Sequence, residues 1–311
     1  MSADVRSILV PLDGSPLSHQ AIVPAGDIAR RVGGALALAV VHPWGAHEDA
    51  PFAGTEADLR LRAEETRYLE LVERRVRDTF RVPVSAVLLQ GDPAASLAAY
   101  AREQGVQLVV GSTRGRGVVA RALRGGVVLP LAHAVACPAL LLKPERDAIA
   151  VPDPDGFARI LVPLDGTAGA EASLEPAIAL AAERQVMLHL VHVASPLEPD
   201  GLDLLERRRE AAWYLNRVAV PLERRGLRVD CQVVTSGQPG SAIARLATRW
   251  EVDLVAITTR RRSEGERMLL GSVADTVVQL ARVPVLVCHA AEVEHPAEMR
   301  QRGRAYGVMT V

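Results

Sequence analysis

Short runs of consecutive apolar residues alternate along the chain with longer segments in which apolar residues recur every three or four positions. In the first half the runs read SILVPL, LALAVVH, VSAVLL, VQLVVGS and ALLLK, and such Val- and Leu-rich runs are typical of parallel strands covered on both faces. Helical spacing predicts helices between these runs, over residues 15–31, 56–80, 94–104 and 118–136. In the second of them, Leu69, Val72, Val76 and Phe80 form one apolar stripe. Repeated alternation of strand and helix predicts a doubly wound α/β domain, in which ligands bind at the carboxyl ends of the strands.

The chain also contains a long internal repeat. The segment ILVPLDG occupies residues 8–14 and recurs at residues 160–166, and the second half repeats the apolar runs as ARILVPL, MLHLVHV, RVDCQVVT, VDLVAIT and VPVLVCH. A repeat of roughly 145 residues is a whole domain, since solenoid units are much shorter. We therefore predict two domains, at 1–146 and 156–290, joined by a polar, Pro-rich linker and followed by a charged tail at 291–311.

Composition narrows the classes of partner. The net charge of −1 and the small number of aromatic residues (three Phe, three Trp and four Tyr) argue against a nucleic-acid partner. Three widely spaced cysteines, Cys137, Cys231 and Cys288, give neither a disulfide framework nor a zinc site. The chain shows neither a signal peptide nor an apolar run long enough to span a bilayer. These features predict a cytoplasmic protein without a membrane partner.

The first candidate site residues follow the first strand of each repeat. Pro11 and Asp13 lie at the end of the first strand, and Pro163 and Asp165 take the same places in the second repeat. Asp-Gly-Ser and Asp-Gly-Thr are also good turn and helix-cap sequences, so a purely structural interpretation stays open. The position at a strand's carboxyl end favours a ligand site, because the binding crevice of this fold opens there.

A glycine-rich segment follows the fourth strand of the first repeat. It contains Gly111, Gly115, Gly125 and Gly126, with a helical pattern between the second and third of these. Glycines that lead into a helix expose backbone N–H groups at the positive end of the helix dipole, an arrangement that suits phosphate. The segment is therefore a candidate phosphate site.

Together these residues resemble the universal stress protein family, whose nucleotide-binding members carry G-x-x-G, nine residues, and then Gly followed by Ser or Thr. The interval from Gly115 to Gly125 matches the nine-residue gap, and the resemblance covers nearly the whole chain twice. It implies five-stranded domains of strand order 3-2-1-4-5, paired through their last strands with pseudo-two-fold symmetry, and it leaves further homodimerisation open. It also implies ATP, with Mg²⁺ or Mn²⁺, as ligand: Pro11 and Asp13 would line the nucleoside pocket, and the glycines would hold the phosphates.

Both halves depart from the family pattern. In the first, the glycine at Gly111 stands one residue early, and Gly126 replaces the hydroxyl residue. The second keeps Pro163, Asp165, Gly271 and Ser272 as candidate binding residues. Its glycine turn has become TTRRR at residues 258–262, which is either a set of phosphate-binding arginines or a solvated basic loop. These departures predict that nucleotide binds mainly through the first half.

Three functions are compatible with this sequence. The favoured one is a regulatory protein of the stress response that binds adenine nucleotide and acts on protein partners that the sequence does not identify. The others are a nucleotide-free scaffold and a slow ATP hydrolase that uses Asp13. The sequence favours a binding protein over an enzyme, because no paired general base and nucleophile accompany the glycine segment. His42 and His192, at equivalent strand ends, are interpreted as packed or hydrated rather than catalytic.

Overall fold

The computed structural model of the protein describes residues 5–42, 54–113, 127–145, 148–149, 153–182, 186–196, 203–259 and 272–290. The strands of the first repeat are β1 (Ser7–Leu12), β2 (Ala35–His42), β3 (Val84–Gln90), β4 (Leu108–Ser112) and β5 (Ala139–Leu142). A two-stranded hairpin follows, formed by β6 (Pro144–Glu145) and β7 (Ala148–Ile149). The strands of the second repeat are β8 (Arg159–Pro163), β9 (Met187–Ala194), β10 (Arg228–Thr235), β11 (Leu254–Thr259) and β12 (Val285–His289).

The ten long strands form one sheet in the order β10-β9-β8-β11-β12-β5-β4-β1-β2-β3. Within each repeat the order is 3-2-1-4-5, and all neighbours inside a repeat are parallel. Helices cover both faces of the sheet, and each face has its own hydrophobic core. The predicted doubly wound α/β fold in two copies is confirmed.

The helices follow the sequence prediction with one clear difference. They are α1 (Pro16–Gln20), α2 (Ile22–Val32), α3 (Glu56–Phe80), α4 (Pro93–Glu103), α5 (Val128–Ala134), α6 (Leu174–Ala179), α7 (Leu204–Arg224), α8 (Pro239–Arg249) and α9 (Ser272–Leu280), with a 3-10 turn at Ala170–Ser173 before α6. The single helix predicted over 15–31 is wrong, because the chain breaks at Ala21 into α1 and α2. Pro24 explains the break: it has no N–H group for a bond to the Gln20 carbonyl, and it is tolerated only in a helix's first turn.

The two repeats meet along their last strands. β5 and β12 pair antiparallel, with Leu140 in register with Leu286, and both side chains are fully buried. Each of the two cores contains residues from both repeats. His289 Nε2 lies 2.8 Å from the carbonyl oxygen of Ala132, which adds a polar contact across the junction. The expected pseudo-two-fold pairing is thus present within one chain, and it covers two apolar strand edges that would otherwise invite aggregation.

Part of the predicted domain organisation lies outside the described segments. The tail at 291–311 does, and so do residues 118–126 of the predicted helix at 118–136, whose described part contains α5. The predicted linker region contains the hairpin of β6 and β7. Among the described helices, none combines the length and the apolar character needed to cross a membrane.

Proline interrupts the ladder between the two central strands of each repeat. The paired residues of β1 and β4 end at Leu9 and Val109, although β1 continues to Leu12. The carbonyl oxygen of Ser7 accepts a hydrogen bond from the N–H of Gln107, so the backbone groups of Ser7 face β4. Because the direction alternates along a strand, the backbone groups of every second residue after Ser7, including Pro11, face β4 as well. Pro11 has no N–H to donate, and the pairing stops before it. The same pattern stops the β8–β11 pairing before Pro163.

A buried ionic cluster joins the end of β2 to α3. His42 is completely buried, with Nε2 2.7 Å from Asp58 Oδ1 and Nδ1 2.7 Å from Glu65 Oε2. Asp58 also accepts hydrogen bonds from the N–H of Gly54 at 2.8 Å and from Nε of Arg62 at 3.2 Å. The Gly54 N–H, together with His42 and Arg62, holds the pKa of Asp58 below its usual value although burial opposes this.

We expect Leu140→Ala to destabilise the protein by about 2–5 kcal/mol, because it leaves a cavity between the two repeats. Chemical denaturation of the full chain measures the free energy of unfolding. Leu71→Ala is the matched control, since Leu71 is 58% exposed and its truncation should change stability by less than about 0.5 kcal/mol. Equal effects of the two variants would contradict the central position of the β5–β12 pair.

Acidification should cost the wild type more stability than it costs Asp58→Asn. The pKa of Asp58 is lowered in the folded state, so its contribution is complete above the pKa of the unfolded chain, 3.8, and is lost as the pH falls towards the folded value. The asparagine side chain of the variant does not ionise and contributes no such loss, while the other carboxylates titrate equally in both proteins. Urea midpoints measured at neutral pH and at about pH 3 test this, and equal losses would contradict it.

Candidate functional site

The first candidate crevice opens beyond the carboxyl ends of β1 and β4. The longer of the two helices between β1 and β2, α2, packs on one face of the sheet, whereas α5, which follows β4, packs on the other. Neighbouring strands whose helices leave in opposite directions form the topological switch point of an α/β sheet. Because pairing between β1 and β4 stops before Pro11, the two strands are not bonded to each other at this edge.

Asp13 forms a turn that leaves part of its carboxylate available. Its Oδ1 accepts a hydrogen bond from the N–H of Ser15 at 2.9 Å, and Ser15 in turn caps α1 by accepting from the N–H of Ser18. Gly14 adopts the left-handed conformation, with φ of 74°, that such a turn requires. Asp13 is half-buried, and no described residue donates a hydrogen bond to its Oδ2. One carboxylate oxygen can therefore accept a bond from a ligand.

A tyrosine of α3 contacts the helix that follows this turn. The hydroxyl of Tyr68 lies 2.5 Å from Nε2 of His19 in α1, and the two rings meet edge to face. Burial lowers the pKa of His19, Arg75 lowers it further, and Asp13 opposes both. Burial, with the charge of Asp13, raises the pKa of Tyr68. Near neutral pH the tyrosine therefore donates to a neutral imidazole.

The equivalent turn of the second repeat is arranged differently. Oδ1 of Asp165 accepts from both the N–H of Thr167, at 3.0 Å, and the hydroxyl of Thr167, at 2.6 Å. The Thr167 hydroxyl also accepts from the N–H of Ala170 at 3.3 Å, as the hydroxyl of its counterpart Ser15 accepts from the N–H of Ser18. The second turn differs by the additional bond that the Thr167 hydroxyl donates to Asp165. Asp165 is exposed, and both of these bonds fall on its Oδ1. The two carboxylates therefore differ in burial and in the number of donors that hold Oδ1.

The protein's own atoms also link the two sides of the second crevice. The hydroxyl of Thr258, near the end of β11, donates to the carbonyl of Ala170 in the 3-10 turn after β8, at 3.0 Å. A Cβ added at Gly169 would lie 3.2 Å from the side chain of Ala290, just beyond β12. The turn after β8 thus packs directly against the ends of β11 and β12.

The structure describes some of the predicted phosphate-site residues. Gly111 lies inside β4, where an added Cβ would come within 2.7 Å of the side chain of Val128, so packing of α5 alone accounts for this glycine. Ser272 is the exposed first residue of α9. The remaining predicted glycines lie outside the described residues; they are Gly115, Gly125, Gly126 and Gly271.

No group of three or more His, Cys, Asp or Glu side chains that could hold a metal ion occurs in the part of the chain that the structure describes. The prediction of a divalent metal therefore finds no independent protein cage there. A metal that arrives with a nucleotide is held largely by phosphate oxygens and water, so it needs no such cage.

Sequence reasoning missed the partners of His42. The interpretation of His42 as a packed histidine is consistent with its burial, but Asp58 and Glu65 were not identified as its partners. A signal existed, because Glu65 stands four residues before Leu69 and Asp58 stands seven residues before Glu65, so both acids share the apolar stripe of α3. Acidic residues on a buried helix face require partners. The contact between Tyr68 and His19 left no comparable signal.

Comparison with known proteins identifies relatives over most of the chain. The model of the universal stress protein family matches residues 4–143 and again residues 156–289. Universal stress protein Rv2005c of Mycobacterium tuberculosis is 30% identical over 223 residues, which cover 70% of this chain and 73% of the relative. Universal stress protein Mb2019 of Mycobacterium bovis is 27% identical over 315 residues, covering 90% of this chain and 94% of the relative.

Solved structures share the fold at low sequence identity. A universal stress protein from Archaeoglobus fulgidus has a TM-score of 0.72 at 19% identity, over 94% of this chain and 98% of that one. The functionally unknown protein PA1789 from Pseudomonas aeruginosa has a TM-score of 0.59 at 20% identity, over 93% and 94% of the two chains. Because the family model matches both halves, this protein belongs to the universal stress protein family and carries two of its domains in tandem.

Proposed function

We propose that this protein is a cytoplasmic regulator of the stress response that binds ATP in the crevice of its first repeat. Binding would alter the contacts that the protein makes with other proteins, including a second copy of itself. The observation that carries the proposal is the difference between two equivalent carboxylates. Asp13 is half-buried, with Oδ1 held by one backbone N–H and Oδ2 engaged by no described residue, whereas Asp165 is exposed and its Oδ1 accepts both donors of Thr167.

The nucleoside would lie between Pro11 and the turn at Asp13. Pro11 contributes the opening, because its missing N–H ends the pairing of β1 with β4. Asp13 contributes an acceptor for the hydroxyl or amino groups of a nucleoside, and its first oxygen stays on the Ser15 N–H, which fixes the carboxylate's orientation. Because this carboxylate is already held in place, the Asp13 side chain loses little conformational entropy when a ligand binds.

The phosphates would extend towards the end of β4. There we propose that backbone N–H groups of Gly115, Gly125 and Gly126 bind them, with Mg²⁺ or Mn²⁺ carried on the phosphate oxygens. Gly126 takes the place of the family's hydroxyl residue, which removes one hydrogen bond worth about 1 kcal/mol. Its N–H remains, so affinity falls without being abolished. Gly111 contributes through the packing of α5 on β4.

The second repeat would contribute little to binding. Its candidates are Pro163, Asp165, Gly271 and Ser272, but Thr258 bonds across the crevice to the turn after β8. A nucleotide that lies between this turn and the end of β11 would have to break that bond. We therefore expect one nucleotide per chain.

Two other functions lead to predictions that differ from those of an ATP-binding regulator. A nucleotide-free scaffold is motivated by the altered glycine segments, and it predicts no ATP binding with either metal. A slow hydrolase that uses Asp13 predicts turnover, and steady phosphate release at about 1 per second or faster would make an enzyme the better description. Asp13 is the only catalytic candidate of the first crevice that the sequence offers, which favours binding.

Calorimetry of the full chain with Mg²⁺ and ATP should show one site with a dissociation constant of about 1 mM or tighter. Gly115→Asp should weaken this binding at least about tenfold, because its carboxylate repels phosphate and its Cβ holds the phosphate away from the backbone. Gly237→Asp is the matched control, at a glycine where an added side chain meets open space. No binding by the wild type with either metal would support the scaffold instead.

Asp13→Asn should weaken ATP binding by about tenfold, or about 1.4 kcal/mol, since the amide oxygen retains the bond to Ser15 but the charge is lost. Asp165→Asn, the same change in the second repeat, should leave the affinity within about twofold of the wild type. Calorimetry on both variants tests the assignment. Equal losses of affinity in the two variants, or a loss only in Asp165→Asn, would contradict the assignment of the site to the first repeat.

A further inference from the structure

Two sets of polar contacts, linked through the backbone of α3, connect the end of β2 to the helix that follows the Asp13 turn. His42 contacts Asp58 and Glu65 in the first three turns of α3. Tyr68, one turn after Glu65, contacts His19 in α1. α1 starts directly after the Asp13 turn, and Ser15 of that turn is the N-cap of α1. The contacts therefore connect β2, α3 and α1.

The polar groups of the cluster at His42 pair with one another. Nε2 of His42 contacts the carboxylate of Asp58, Nδ1 contacts that of Glu65, and Arg62 contacts Asp58 as well. Each side chain therefore has a fixed position, because displacing one leaves the buried polar atoms of its partner without a hydrogen bond.

The cluster lies next to the candidate crevice. β1 and β2 are parallel neighbours with Leu12 in register with Val40, so His42, two residues on, stands beside the turn that starts at Asp13. The N–H of Gly54, just before α3, also binds Asp58, and Thr55 caps the helix by accepting from Asp58 N. The start of α3 is thus fixed to the strand that borders β1.

The second repeat serves as an internal comparison. His192 stands at the end of β9 as His42 does at the end of β2, but its Nδ1 is buried without a hydrogen-bond partner among the described residues. When Tyr68 is aligned with Tyr214, Asp58 and Glu65 correspond to Leu204 and Ala211. The repeat therefore folds without the carboxylates, and its α7 is fixed by arginines, for example Arg208 on Thr235.

We infer that His42 is a positioning residue for the first crevice: by bridging Asp58 and Glu65 it fixes α3 against β2, and through Tyr68 and His19 it sets the turn that presents Asp13. The inference rests on the proposed function for the identity of the ligand, a nucleotide. It goes beyond that proposal because His42 does not itself touch the ligand. It also gives the buried carboxylates of the first repeat a role in setting the geometry of the crevice rather than in forming the fold.

Hydrogen exchange of the ligand-free full chain tests the fixing of α3. In His42→Gln, amides of residues 54–60 and 14–20 should exchange at least about tenfold faster, while those of 203–209 are unchanged. His192→Gln, the matched control, should change none of these segments by more than about twofold. Unchanged exchange at 54–60 in His42→Gln would overturn the inference.

Two further variants separate positioning from general stability. Tyr68→Phe should speed exchange at 14–20 but not at 54–60, because it removes only the contact between α3 and α1. Glu65→Gln still offers an oxygen to His42 and should keep exchange within about threefold of the wild type, whereas Glu65→Leu should resemble His42→Gln. Equal effects of the two Glu65 variants would contradict a role of the hydrogen bond.

The last readout is ATP affinity by calorimetry. His42→Gln and Glu65→Leu should each weaken binding at least about tenfold, and His192→Gln and Glu65→Gln should bind as the wild type does. Faster exchange at 54–60 with unchanged affinity would overturn the positioning role and leave a purely structural one. If the wild type binds no ATP, the proposed function fails, and the exchange at 14–20 in His42→Gln decides by itself whether His42 sets the Asp13 turn.

Discussion

A missing backbone N–H group at the centre of each repeat determines where the sheet opens. Pro11 and Pro163 point their backbone nitrogen towards the neighbouring strand, and pairing with that strand stops two residues earlier. A proline in a central strand is normally excluded because it breaks the ladder. Here the break falls at the switch point, where helices leave to opposite faces and a ligand can enter. The opening is thus a backbone property that both repeats share.

Antiparallel pairing of β5 with β12 makes the two openings independent of each other. The strands of the two repeats run in opposite directions through one sheet, so their carboxyl ends lie at opposite edges. The side chains of one crevice therefore do not constrain those of the other. Both crevices depend on the same buried pair of strands, β5 and β12, which is the last strand of each repeat. The second crevice could therefore acquire the Thr258 bond to Ala170, and the first could keep an accessible Asp13, without any change in the fold.

The sequence predicts the elements and the duplication because both depend on local apolar periodicity and on similarity between two segments of the same chain. It predicts the crevice because the fold class fixes which strand ends meet. It does not distinguish Ser15 from Thr167, since both follow Asp-Gly. Only the packed structure shows that both hydroxyls accept a cap hydrogen bond and that the Thr167 hydroxyl also donates to Asp165. The Tyr68–His19 contact is likewise a product of tertiary packing, between residues 49 positions apart.

Buried charges are a poor way to stabilise a domain, because desolvation offsets most of the attraction between them. The second repeat illustrates this, since it has Leu204 and Ala211 at the positions of Asp58 and Glu65 and forms the same strands and the same long helix. The carboxylates around His42 are thus not required by the fold. They fix α3 in direction and register more narrowly than apolar packing does, since a hydrogen bond tolerates little displacement. Such a constraint is useful where a neighbouring group must hold one geometry, and the neighbouring group here is the turn of Asp13.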